Sequence, residues 1–157
     1  MKLPRHFTAT GFLVHEDKLA LHWHPKVKAW LPPGGHINPN EDPIQAVLRE
    51  IEEESGVVAE VVPTSKTLDL KYPEILVPPF TIMIEDIEDP VDGRHQHIDL
   101  IYFCKPIGKP VLLNNGWYWI SRATLKRKSP IDHDTGLSIP PPEDVRVLAE
   151  HAFTTIL

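Results

Sequence analysis

The run DPIQAVLREIEEESG (42–56) spells out one helix from start to stop. Asp42 suits the N-cap, Pro43 the first helical position, and Gln45 the reciprocal partner of a capping box. Ile44, Val47, Leu48 and Ile51 recur at i, i+3, i+4 and i+7, which predicts one core-facing stripe. Gly56 is the expected stop, because helices commonly close on a left-handed residue, which glycine adopts without a Cβ penalty. Such a helix cannot bury its stripe alone. It requires a second layer, and the flanking sequence carries strand signals that could provide one.

FTATGFLV (7–14) and LALHWH (19–24) read as strands joined by a turn at Glu16–Asp17. Further strands are expected at VVAEVV (57–62), FTIMI (80–84), HIDLIYFC (97–104) and WYWI (117–120). The stretch KAWLPPGGHINPNEDP (28–43) is so rich in Pro, Gly and Asn that it reads as an irregular loop. A short helix is signalled at SRATLKRK (121–128). A closing helix begins near Pro142, with Val145, Leu148, Ala149 and Ala152 on one side. Strands and helices mix without regular alternation, so the class is α/β or α+β with a mixed sheet. At 157 residues the expectation is one domain, 1–157, with a real core.

Charge narrows the function. The formal net charge of -6 argues against binding a nucleic acid polymer through a basic face. No apolar stretch approaches the roughly 20 residues of a membrane span, and the N-terminus lacks a signal-peptide core. A cytoplasmic protein is the expectation. Cys104 is the single cysteine; its apolar setting, LIYFC, marks it as a small buried hydrophobe.

The acidic end of the helix needs a cause. At about 100° per residue, Glu54 lies about 40° from Glu50 and Glu53 about 60° to the other side. These three converge, while Glu52 points elsewhere. Like charges at i, i+4 repel, and the C-terminal end of a helix already carries partial negative charge. Arg49 can pair with Glu53, but one cation does not neutralise the set. A divalent cation does, and carboxylate oxygens are hard ligands suited to magnesium. Gly34 and Gly35, just upstream, let backbone approach a ligand closely.

The whole run GHINPNEDPIQAVLREIEEESGV (35–57) resembles the Nudix box at its fixed positions: Gly35, Glu41, Arg49, Glu50, Glu53, Glu54 and Gly56. The preceding WLPPGG is similar to the family's Trp…Leu-Pro-Gly-Gly lead, with one extra proline. WYWISRATL is similar to its tryptophan strand and the segment after it. The resemblance implies a Nudix fold, an α/β/α sandwich with a mixed sheet. It also implies hydrolysis of a phosphoanhydride in a nucleoside diphosphate derivative, a small-molecule nucleotide, with Mg2+ or Mn2+ assisting. Glu50, Glu53 and Glu54, with the Gly34 carbonyl, would hold the metal. Glu53, Glu54 and Arg49 would serve catalysis, and Glu41 would brace the loop.

Two departures from the pattern stand out. Asn38 replaces a glutamate common in the family, and the loop PIGKPVLLNNG before the tryptophan strand contains no acid. A base from outside the box would then come from Glu85, Asp86, Asp99, Glu143 or Asp144, although the EDIEDPVDG run reads as a solvated loop. Trp30, His36, His97 and Asp144 are candidate substrate contacts. The pairs His22/His24 and His95/His97 have a spacing that zinc sites use, but no cysteine or carboxylate spacing accompanies them, so ordinary histidines are expected. The alternatives are a nucleotide sensor that binds without turnover and a diphosphate isomerase. The isomerase needs an early active-site cysteine, and Cys104 is late. An open strand edge would allow a homodimer.

Overall fold

The computed structural model describes residues 2–109, 111–132 and 138–156. In chain order the elements are β1 (Arg5–His15), β2 (Lys18–His24), β3 (Ala29–Leu31), β4 (Gly34–His36), α1 (Pro43–Ser55), β5 (Ala59–Val61) and β6 (Thr81–Asp89). They continue with β7 (Gly93–Pro106), β8 (Trp117–Ser121), α2 (Arg122–Lys126), β9 (Ile131–Asp132), β10 (Ser138–Ile139) and α3 (Glu143–Ile156). Pro110, within the acid-free loop, lies outside the described residues.

β1 organises the main sheet. It runs parallel to β7 from Arg5↔Gln96 to Leu13↔Cys104, and antiparallel to β4 through Thr8↔His36 and Thr10↔Gly34. Its far end turns into β2 through Glu16 and Asp17, both at positive φ, the conformation that suits a two-residue hairpin. The path β3-β2-β1-β7-β5 is completed by β4 on β1, β6 on β7 and β8 on β2. One parallel pairing among antiparallel ones makes the sheet mixed.

Alternation along the strands builds two cores. Ala9, Leu13, Tyr102 and Cys104 face α1 and pack with Ala46, Val47 and Ile51. Phe12, Val14, Ile101 and Phe103 face the other way and meet Val145, Leu148, Ala149, Ala152 and Phe153 of α3. The result is the expected α/β/α sandwich. Beyond the reach of α1, Phe7, Ile82 and Ile84 remain exposed.

Three local expectations need correction. The 28–43 stretch holds two short strands, β3 and β4, because the buried Pro32 and Pro33 pack inward and the Pro33 carbonyl accepts the Gly11 N–H at 2.9 Å. β5 spans only part of VVAEVV. The EDIEDPVDG run is no solvated loop: β6 and β7 pair down to Asp89↔Gly93, and Asp89 closes the turn by accepting the N–H groups of Val91 and Asp92. Pairing against β7 overrides the polar composition of this hairpin.

Candidate active site

α1 is capped as its sequence dictates. The Asp42 carboxylate accepts the Gln45 N–H at 2.8 Å, and the Gln45 side chain accepts the Asp42 N–H at 3.0 Å. Gly56 closes the helix at φ 80° and donates its N–H to the Glu52 carbonyl. The last two turns therefore have a defined geometry, and Glu50, Glu53 and Glu54 project from them.

Arg49 ties the acids together. Its guanidinium donates two hydrogen bonds to Glu41 (2.7 and 2.9 Å), one to Glu50 (2.9 Å), one to Glu53 (3.2 Å) and one to the His36 carbonyl (3.1 Å). Glu41 in turn accepts the Asn38 N–H, so it anchors the loop as well as the arginine. The Arg49 hydrogen bond holds Glu41 below the usual carboxylate range. The Glu50 carboxylate lies against Gly35, where a Cβ would overlap it, so a side chain at this position would displace the carboxylate. Glu54 reaches the cleft. Burial, then the hydrogen bond and charge of Glu50, raise its proton affinity well above the ordinary range, partly offset by the Gly34 amide. Glu52 is exposed and outside the group.

The cleft beside these residues has a volume of about 650 Å³. Phe12, Leu31, Met83, Ile101, Val145 and Leu148 give it apolar walls. Its floor is polar. Asp99, 3% exposed, accepts hydrogen bonds from the hydroxyls of Thr8 (2.9 Å) and Thr10 (2.9 and 2.8 Å). Glu85 lies beside it. Burial, then the negative charges of Asp99 and Asp144, push the Glu85 carboxyl up to about 8. Burial raises Asp99 too, but the two threonine donors favour its charged form. The proton of the pair therefore sits on Glu85. His97, also in the cleft, is lowered to about 4, by burial first and then by the neighbouring His36, His95 and His6.

The box residues converge, and His97 and Asp144 line the cleft. Two substrate contacts are corrected. Trp30 is fully buried in the core, edge-on to Trp23 and Tyr118, because β3 turns it away from the cleft. His36 is exposed outside the cleft lining and pairs with His6 at 3.3 Å. Of the acids outside the box, Glu85, Asp86, Asp99 and Asp144 line the cleft, while Glu143 does not. Thr8 and Thr10 were missed. Their signal was the alternation in FTATGF, which places both hydroxyls on the face of Phe12. His22 and His24 also line the cleft, His22 stacked on Trp117 with ring centroids 4.2 Å apart.

The structure is a mixed-sheet sandwich with a helix-end carboxylate cluster beside a cleft that Glu54 reaches. The NUDIX domain model matches residues 4–137, and the chain belongs to the Nudix family. Members of this family generally depend on a divalent metal. A "Probable DHNTP pyrophosphohydrolase" of Lactococcus lactis subsp. cremoris is 34% identical over 98 residues, covering 62% of this chain and 52% of the relative. The chain thus spans about half the length of that curated relative. A NUDIX-family hydrolase of Clostridium perfringens superposes with a TM-score of 0.76 at 29% identity, covering 99% of this chain and 100% of the other. The MutT protein of Methanosarcina mazei shares the fold at 17% identity and a TM-score of 0.58, covering 98% and 96%. Among the described residues no helix is long and apolar enough to cross a membrane.

Proposed function

We propose that this chain is a magnesium- or manganese-dependent pyrophosphohydrolase, a single cytoplasmic Nudix domain over 1–157. It would cleave a phosphoanhydride in a nucleoside diphosphate derivative. The observation that carries this reading is the convergence of Glu50, Glu53 and Glu54 at one helix end, with Glu54 lining a cleft of about 650 Å³. The donor set fits the ion. All three side chains offer hard oxygens, and Glu54, whose proton affinity is raised first by burial and then by Glu50, sits where a dication would stabilise its charged form. The Gly34 carbonyl would complete the set. When bound, the ion neutralises phosphate charge and acidifies the attacking water.

The chain's own residues do the rest. Arg49 positions Glu50 and Glu53 by direct hydrogen bonds. Glu53 or Glu54 takes the proton of the attacking water at a carboxylate oxygen. The apolar walls take a flat heterocycle. On the floor, the Glu85–Asp99 pair offers one O–H donor beside carboxylate acceptors, which matches a ring edge carrying N–H groups next to a carbonyl. DHNTP, in the name of the Lactococcus relative, is therefore the first substrate to try. A homodimer is supported by the exposed Phe7, Ile82 and Ile84, apolar surface that a second copy would cover.

The test is a substrate screen with magnesium, spanning DHNTP, nucleoside triphosphates, nucleotide sugars and dinucleoside polyphosphates. Turnover of at least one is expected. Glu53→Gln and Glu54→Gln should each slow it by ~10²-fold or more with unchanged circular dichroism. Wild-type rates in both variants would remove the metal assignment. Binding without turnover across the screen would make the domain a nucleotide sensor.

A further inference from the structure

Four histidines meet on the cleft face of the sheet, although they are scattered in sequence. His6 and His97 are register partners on β1 and β7, and His95 lies two residues along on the same face. His36 on β4 is paired with Thr8, which shares the face of His6. β1 lies between β4 and β7, so the topology alone brings the four rings to one spot. Ring centroids confirm it: His6 to His95 is 4.9 Å, His6 to His36 is 5.2 Å and His36 to His97 is 5.1 Å.

Two nitrogen pairs within the cluster have the spacing of neighbouring ligands on one ion. One ligand nitrogen from each of His6, His95 and His97 falls within a 4.8 Å set. The His95 and His97 Nε2 atoms are 3.2 Å apart, and His36 Nε2 is 3.3 Å from His6 Nδ1. A tetrahedral zinc ion, with Zn–N bonds of ~2.0–2.1 Å, holds its nitrogens ~3.3 Å apart. The tautomer also agrees. His95 Nδ1 lies 3.0 Å from the Gly93 carbonyl, which only accepts, so the proton sits on Nδ1. Its Nε2 lone pair then points at the cluster, the orientation that a backbone carbonyl imposes on metal-binding histidines.

We propose that His6, His95 and His97 form a transition-metal site of the zinc class, with His36 as the fourth ligand at its accessible rim. It differs from the carboxylate centre in its ligands and its chemistry, although the His36 carbonyl accepts a hydrogen bond from Arg49. Imidazole nitrogens suit zinc, nickel and copper, whereas the box glutamates suit magnesium and manganese. The site would clasp the ends of β1, β4 and β7 beside the cleft, whose lining includes His97.

The experiment uses the untagged full chain, stripped with chelator, and titrates Zn2+ by calorimetry and Co2+ by visible absorption. One Zn2+ per chain should bind in Glu53→Gln and Glu54→Gln as in the wild type, and Co2+ should show intense tetrahedral bands. His6→Ala, at an accessible position, should weaken Zn2+ binding by roughly tenfold or more, since loss of even an outer partner costs that much. His36→Ala provides a second variant at a position where folding is not at stake. The proposal fails if Co2+ gives only weak six-coordinate bands, if both histidine variants bind zinc like the wild type, or if zinc is lost only with the glutamates.

Discussion

Glu85→Gln should flatten the fall in stability of this protein on the alkaline side. A free glutamate titrates near 4.5, whereas Glu85 in the folded cleft is pushed up to about 8 by burial and by Asp99 and Asp144. Between those values the folded protein keeps a proton that the unfolded chain has released. Stability therefore falls as pH rises through that window, because the native state binds more protons. At ~1.4 kcal/mol per unit of pKa the ceiling is ~5 kcal/mol. The open cleft screens the charges, and an effective dielectric near 20 brings the expected loss nearer ~2 kcal/mol. Glutamine keeps a donor toward Asp99 and carries no titratable proton. Urea unfolding of both proteins at pH 5, 6, 7 and 8 reads the difference directly. The variant should gain ~2 kcal/mol on the wild type across that range. Parallel stability profiles would show that Glu85 does not hold the proton, and the reading of the cleft floor would be lost with it.

Two further substitutions probe the helix end. Arg49→Lys keeps the charge but loses the planar fork that serves Glu41, Glu50 and Glu53 together; thermal melts should show a loss of ~1–3 kcal/mol, and calorimetry weaker magnesium binding. Gly56→Ala forces a side chain onto φ 80° and brings a Cβ to 2.5 Å from the Asn114 Oδ1, beside the amide that caps the Glu54 carbonyl. Denaturant melts should register ~1–2 kcal/mol for the backbone strain alone, and more if Asn114 is displaced.

α1 was legible from residue 42 to residue 56 because its signals are local: a cap, a proline, a stripe and a glycine act within a few turns of one another. The convergence of Glu50, Glu53 and Glu54 follows from helical periodicity alone, and so does the exclusion of Glu52. The buried faces of α3 and of the strand holding Cys104 were legible for the same reason. The short strands β3 and β4 were hidden, since Pro and Gly mask pairing that only β1 and β2 impose. Glu85 read as a solvated acid, yet pairing of β6 with β7 turns it onto Asp99. His6 and His36 carried no signal toward His95 and His97, because ring-to-ring distance across three strands depends on register and strand order. Short-range physics wrote the helix and its acids into the chain; contacts between residues far apart in sequence exist only after the sheet has closed, and those decide what the cleft can recognise.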